Sequence, residues 1–396
     1  MAKSKAITLL SIGHACVDVY QGAVAALVPY FVAERSYTYA AVSGIVLAAS
    51  LLSSVAQPLF GMATDRRAMP WLLPVSTLVA GSGIALSGLG GSYALTLLFM
   101  GIGGIGVAAY HPESARVARV AGGGSHTAMG WFSLGGNLGF ALAPVLVAGV
   151  VGIGGLGLTP LLALPALVGS LLTLPVLRGL ERMTSAAPRT ATAAAAPDDV
   201  ASFVKLALAV VCRSIVFVGL STFIAFYVRE RTGGGAAAGT AALVVLYLGG
   251  AVGTVLGGAL AERRDRVTVV RRSYLLTVGA VAGLVFVPGP ALYVCVALTS
   301  AGLYVPFLLQ VTLAQDYLPG RVGTASGITL GLTISIGGLF SPLIGRLADA
   351  TSLRTALTPL IAMPALSWLL FRTLAEPAPP SAPRPVTGGG RASRRR

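Results

Sequence analysis

Twelve apolar segments, each long enough to cross a hydrocarbon layer, follow one another along this 396-residue chain. A layer about 30 Å thick needs about 20 apolar residues per helix. On that scale spans are expected at 6–32, 40–63, 70–90, 93–117, 125–152 and 157–178, then at 202–229, 239–261, 270–289, 291–316, 322–348 and 354–373. Inside a bilayer every backbone N–H and C=O needs a partner within the protein, so only helices and closed barrels cross it. The Gly- and Ala-rich runs lack the two-residue alternation of barrel strands. The expected fold is therefore an all-α integral membrane protein, with twelve transmembrane helices in two pseudo-symmetric six-helix bundles.

Composition excludes the soluble alternative. Only 10% of residues are charged against 55% hydrophobic, and the mean hydropathy is +0.83; a soluble domain carries about a quarter charged residues. The net charge of +15 would suit nucleic acid if it formed one face, but the basic residues sit in short clusters between apolar runs. No nucleic-acid partner is expected. Cys16, Cys212 and Cys295 lie in separate apolar runs without CxxC or His spacing, so neither a zinc site nor a disulfide framework follows. No metal and no cofactor are expected.

One motif points elsewhere at first sight. Gly101-x-Gly103-x-x-Gly106 matches the dinucleotide-binding fingerprint, and Gly152-x-Gly154-x-x-Gly157 repeats it. The fingerprint needs a strand before it, a helix starting at its glycines and an acidic residue downstream. Here "YALTLLFMGIGGIG" is one unbroken apolar run. Packing of the fourth span against its neighbours explains these glycines better.

Charge fixes the expected topology. Lys3, Lys5, Arg66, Arg67, Arg116, Arg119, Arg178, Arg182, Arg189 and Lys205 fall on one side, as do Arg263, Arg264, Arg266, Arg271, Arg272, Arg321 and the arginines from Arg372 onward. The other side holds Arg35, Arg229, Arg231, Arg346 and Arg354. The positive-inside rule places both termini in the cytoplasm. The N-terminal run is interrupted by His14 and Asp18 and lacks a clean cleavage site, so it reads as a retained first span. The expected units are a bundle over 1–180, a linker over 181–201, a second bundle over 202–375 and a disordered basic tail over 376–396.

The halves repeat. "GMATDRR" at 61–67 closes the second span and "GALAERR" at 258–264 closes the eighth. Gly139-x-x-x-Ala143-Pro144 recurs as Gly337-x-x-x-Ser341-Pro342. Two parallel six-helix halves place a substrate site between them near the midplane.

With twelve spans and Gly61, Asp65 and Arg66 after the second, the chain resembles the major facilitator superfamily; Ala68, Met69 and Pro70 depart from the later part of that loop motif. Gly130, Gly139, Ala143 and Pro144 resemble the family's antiporter motif, and Met100 stands where many drug exporters carry an arginine. "GHACVD" (13–18), "AYHPESARVAR" (109–119) and "LGGNLGFALAP" (134–144) are similar to the fosmidomycin resistance group. The resemblance implies a secondary active transporter: a proton-coupled antiporter exporting a small, often anionic, drug or metabolite by alternating access. It also implies a gating role for Asp65 and Arg66. Arg116, and Glu262 and Arg263 in the repeat, complete the expected charge network around Gly61. Gly130, Gly139, Pro144, Gly337 and Pro342 are the expected helix-packing positions.

Ionisable groups inside spans are costly and usually face a cavity. His14 and Asp18 are four apart on one helix face, with Gln21 nearby. His111 and Glu113 fall at a similar depth, and Arg116 is placed to pair with Glu113. Arg213 is expected at the depth of Asp18, facing the same cavity, where a guanidinium suits a carboxylate or phosphonate. Asp18, Glu113, His14 and His111 are thus the proton-coupling candidates, and Arg213, Asp18 and Gln21 the substrate-binding ones. Glu113–Arg116 also reads as a structural pair, and His14 as a packed histidine.

Two alternatives remain open at this point. One is a proton symporter importing a metabolite. The other is an intramembrane metalloenzyme with His14, Asp18, His111 and Glu113 as ligands. The partners expected are the lipid bilayer, protons and a small molecule. The protein is expected to be a monomer in a bacterial inner membrane.

Overall fold

The computed structural model describes residues 3–123, 125–180 and 197–377. Among these residues the chain is helical throughout, with no strand. The first half holds α1 (Lys3–Arg35), α2 (Tyr39–Arg66), α3 (Leu72–Ser87), α4 (Tyr93–Ala121), α5 (His126–Gly154) and α6 (Leu164–Leu180). The second holds α7 (Val200–Thr232), α8 (Ala236–Ala261), α9 (Arg266–Phe286), α10 (Leu292–Tyr317), α11 (Val322–Ala350), α12 (Leu353–Leu357) and α13 (Ala362–Arg372). Ten helical segments of the described residues are long and apolar enough to cross a membrane. α3 is shorter, at 16 residues, and α11 occupies the place of the eleventh expected span. This is a multi-pass membrane protein.

Two expected spans are not single α-helices. A 3-10 stretch, Leu156–Ala163, leads into α6, and another, Thr358–Ile361, separates α12 from α13. Pro160 and Pro359 lie in these stretches and cannot donate the backbone hydrogen bond an α-helix needs. α7 starts two residues earlier than the sequence reading has it, because the Asp199 carboxylate accepts a hydrogen bond from Ser202 N at 3.0 Å and caps the helix. The rest of the expected linker and the tail from 378 lie outside the described residues.

Helix pairing repeats with an offset of six spans, α12 and α13 together making the twelfth. α1 packs on α5 and α6, α2 on α4, and α3 on α4; α7 packs on α11 and α13, α8 on α10, and α9 on α10. Glycines set the close crossings. A Cβ on Gly139 would stand 2.3 Å from Ala15 O on α1, and one on Gly337 would stand 2.3 Å from Ser214 O on α7. Contact distances this short are open only to hydrogen. The GIGGIG run works the same way: a Cβ on Gly104 would meet Ala49 O of α2 at 2.3 Å, and one on Gly106 would meet Ala80 N of α3 at 2.3 Å. These glycines are a two-sided packing surface, not a phosphate loop.

Gly130 and Gly61 differ, since a Cβ on either would find nothing within 4 Å. Among the described residues neither position is closely approached by another helix. Pro144 and Pro342 sit inside α5 and α11, and beside Pro342 the Ser341 and Thr222 hydroxyls lie 3.3 Å apart, joining α11 to α7.

A testable contrast follows on one helix. Gly139→Ala should lower thermal stability by about 1–3 kcal/mol through overpacking. Gly149→Ala, where a Cβ meets nothing within 4 Å, should be neutral or gain up to about 1 kcal/mol of helix propensity. Melting of purified protein in detergent measures both; equal melting of the two variants would remove the packing role of Gly139.

Three helix pairs join the halves, α2 with α11, α5 with α8 and, more lightly, α1 with α7. α1, α7 and α11 begin at the end of the molecule that carries Arg66, Arg116 and Arg263, here termed the basic end, and run to the opposite end. The joining contacts lie from mid-depth to that opposite end. Gly345 faces Tyr39 and Ser43, Gly338 faces Ser50, and the Phe140 and Tyr247 rings meet at 5.3 Å. At the extreme opposite end the Asp349 carboxylate accepts hydrogen bonds from Tyr39 N and Ala40 N, both at 2.9 Å. The last turn of α11 thus caps α2.

Candidate functional site

The i, i+4 spacing on α1 brings His14 Nε2 to 3.3 Å from Asp18 Oδ2. α4 supplies the third member: His111 Nε2 lies 3.5 Å from Asp18 Oδ1. Asp18 is only 5% exposed. α5 closes the cluster with backbone and ring. His14 Nδ1 is 2.9 Å from Phe132 O, and the two rings stack at 4.2 Å. Gly136 leaves the needed room, since a Cβ there would come within 2.5 Å of Asp18 Oδ2 and 2.7 Å of His14 Cε1.

This geometry decides where a proton belongs. A carbonyl oxygen only accepts, so His14 Nδ1 carries the hydrogen and donates it to Phe132 O. A neutral His14 then turns the lone pair of Nε2 toward a carboxylate oxygen. Two acceptors in contact repel in a buried site. The contact is favourable once a proton sits between them, on His14 as imidazolium or on Asp18. The His111 Nδ1 and Asp18 Oδ1 atoms are buried without a hydrogen-bond partner, so the cluster has spare capacity to pass a proton on. The donor atoms of His14, Asp18 and His111 all lie within 4.8 Å of one another, compact enough to share one cation.

Glu113 is not part of it. It is fully buried, and its Oε1 accepts from Met69 N at 3.1 Å while Arg116 Nε donates to Oε2 at 2.9 Å. A second Arg116 nitrogen bonds Oε1. Glu113 therefore ties α4 to the connection between α2 and α3, the structural alternative read from sequence, and the four-ligand metal set loses its fourth member.

A cavity between the halves begins one turn from Asp18. Gln21, Ser50 and Phe140 line it from the first half, and Phe217, Ser221 and Tyr247 from the second. Arg213 is not among its lining residues, contrary to the sequence expectation. The residue is 2% exposed, with its guanidinium 3.5 Å from Leu303 O and stacked over Phe307 at 5.1 Å. The rotation of α7 about its own axis turns that residue into the second bundle, toward α10. Asp18 is also outside the lining, behind Gln21.

The expected charge network is likewise redistributed. Arg66 is exposed, as are Glu262 and Arg263, and no ion pair joins the latter two among the described residues. They follow the last turn of α8 and face outward. The Asp65 side chain lies outside the described residues. A network does form nearby: Arg266 bonds Asp316 at 2.7 Å and Glu376 at 2.6 Å, and Asp198 pairs with Arg321 at 3.4 Å. Sequence reading missed these, together with Phe132, Gly136, Tyr247 and Asp349. Only Gly136, inside "LGGNLG", left a trace there, as a glycine among glycines.

The sequence and the fold match known proteins. Residues 10–342 match the Major Facilitator Superfamily. The chain belongs to this superfamily. It is 30% identical over 371 residues to the Fosmidomycin resistance protein of Escherichia coli (strain K12), covering 89% of this chain and 90% of that one. It is 29% identical over 375 residues to the Uncharacterized MFS-type transporter YfnC of Bacillus subtilis (strain 168), covering 92% and 91%. Among solved structures, a bacterial homologue of the lysosomal transporter Spinster, inward-facing and occupied, superposes with TM-score 0.73 at 16% identity, covering 92% and 95%. The nucleoside transporter NupG superposes with TM-score 0.75 at 10% identity, covering 93% and 99%. Superfamily membership makes the protein a transporter, not an enzyme, with small-molecule cargo.

Proposed function

We propose that this chain is a proton-coupled exporter of a small organic compound. It works by alternating access in the cytoplasmic membrane of a bacterium, with its basic end and both termini in the cytoplasm. The excess of Lys and Arg at the basic end supports that orientation. The 30% identity to a protein named for fosmidomycin resistance supports export, with fosmidomycin as a candidate cargo.

The observation that carries the coupling is the His14–Asp18–His111 cluster, a buried carboxylate between two imidazoles, one turn from the cavity. The cycle needs two accesses. In the present one the contacts around Asp349, Gly345 and Phe140–Tyr247 seal the outer half, so the compound enters from the cytoplasm. Gln21, Ser50, Ser221 and Tyr247 offer it hydrogen bonds. The cluster gives its proton to the cytoplasm in this state and regains one from outside after the bundles rock.

The basic end has a surface suited to the second access. Gly61 on α2 and Gly327 on α11 lie eleven residues from Ser50 and Gly338, which already touch; Gly258 on α8 lies eleven residues from Tyr247. Eleven residues are three helical turns, so each glycine continues the same face. Gly130 on α5 lies one residue from the position that the Gly139–Gly337 repeat pairs with Gly327. A Cβ on any of the four meets nothing within 4 Å here. They form the seam that closes when the outer half opens.

The test uses inverted vesicles acidified inside by respiration. Fosmidomycin is expected to release protons in proportion to the amount of this protein and not in vesicles lacking it. Uptake of a labelled metabolite into whole cells without such proton release would replace export by import.

A further inference from the structure

A second cavity, of about 170 Å³, lies beyond the central one toward the end where Asp349 caps α2. The four helices that line it, α1, α5, α7 and α8, also line the central cavity, which α2, α3 and α4 complete, and the lining runs in one direction along each of the four. On α1 the central cavity reaches Ala25 and the outer one runs from Ala26 to Ala33. On α5 the lining passes from Phe140 to Pro144, on α7 from Ser221 to Ala225 and Arg229, and on α8 from Tyr247 to Leu243 and Thr240. The outer cavity therefore continues the path of the inner one, with the Phe140–Tyr247 contact between them.

Its lining holds one charged group, Arg229. No ion pair and no hydrogen bond holds this guanidinium among the described residues. The Glu34 carboxylate accepts a bifurcated hydrogen bond from Leu156 N, 3.0 Å from each oxygen, and makes no ion pair among the described residues. Gly239 makes room for the arginine stem, since a Cβ there would stand 3.2 Å from Arg229 Cδ. The Tyr30 and Thr240 side chains flank the same space. A guanidinium presents a planar fork of donors that matches carboxylate and phosphonate oxygens, and a partly enclosed cavity screens it less than open water does.

We propose that this outer cavity is a second station for cargo, where Arg229 takes the anionic carboxylate or phosphonate group of a compound on its way out, with Tyr30 and Thr240 beside it. The assignment rests on the export reading for its direction, but anion binding itself does not require turnover. It also relocates the anion specificity expected at Arg213, which lies sixteen residues earlier on α7, about 24 Å away along the helix.

The experiment is a thermal-shift titration of the purified full-length protein with fosmidomycin, methylphosphonate and inorganic phosphate. Wild type is expected to be stabilised by all three, with fosmidomycin half-saturating at a concentration at least about tenfold below phosphate. Arg229→Gln should raise the half-saturating concentration of each by about tenfold or more, Arg229→Lys by less, and Arg213→Gln should leave them unchanged. Tyr30→Phe, with the arginine intact, should weaken binding by about threefold and serves if Arg229→Gln does not fold. Unchanged titration of Arg229→Gln overturns the site, as does absence of any shift in wild type. Equal half-saturation by fosmidomycin and phosphate overturns its role as a cargo station. A protein that binds these anions through Arg229 yet moves no protons in vesicles would sink the coupling proposal while leaving this site standing.

Discussion

Asp18→Asn is expected to abolish proton-driven export, by about 100-fold or more, while the protein still folds and inserts. Asn has nearly the volume of Asp, so the space kept by Gly136 and the stacking of His14 on Phe132 survive the change. What disappears is the group that makes a proton at His14 Nε2 favourable. An amide cannot hold a proton at any working pH, so the step that distinguishes the two accesses is lost. Exchange of labelled fosmidomycin against unlabelled compound needs only the bundles to rock with cargo bound, and should persist. The measurement is a pair of assays on the same vesicles: proton release on adding fosmidomycin, and exchange at equal pH on both sides. Full proton-driven export by Asp18→Asn would make the cluster structural. Loss of both assays in protein that melts like wild type would point to cargo binding instead.

The second large effect concerns the seam at the basic end. Gly61→Leu together with Gly258→Leu should stop transport while leaving the present conformation stable, because a Cβ at either position meets nothing within 4 Å in it. In the closed arrangement each leucine would occupy space needed by the facing helix, at about 1–3 kcal/mol per site. Two such sites disfavour the outward-open state by about 30-fold or more. Asp349→Ala acts in the opposite direction. It removes the carboxylate that accepts from Tyr39 N and Ala40 N across the α2–α11 contact. The lost cap amounts to about 1 kcal/mol, because water replaces it at an exposed site. A cysteine at Ser43, which faces Gly345, reports the difference when labelled from outside. Labelling should slow in the double leucine variant and quicken by about fivefold in Asp349→Ala. Equal labelling in both would mean that these contacts do not set the balance between accesses.

How much of the site was legible in the sequence depended on whether its parts lay on one helix. His14 and Asp18 were readable as a pair because four residues is one turn, and that relation needs no partner helix. Glu113–Arg116 was readable for the same reason, and the structural alternative kept for it is the one its bonds to Met69 and Arg116 support. The third member of the cluster was not decidable. His111 and Glu113 are two residues apart on α4 and so point about 200° apart; only the rotation of α4 against α1 selects the histidine. Arg213 failed similarly: its depth followed from counting residues, but the direction of its side chain followed from how α7 packs on α10 and α11.

The sequence by itself determined the order of the apolar helices, the internal repeat, the asymmetry of charge and the glycine pair at 139 and 337. Each of these is periodic or compositional along the chain, and the bilayer leaves few ways to satisfy it. Only the tertiary structure decided that Phe132 fixes the His14 tautomer, that Arg213 leaves the cavity, that Arg229 lines another, and that Asp349 caps α2. Those partners are separated by up to 310 residues. Their meeting depends on the rotation and tilt of whole helices, which many small packing contacts set together and no local pattern encodes.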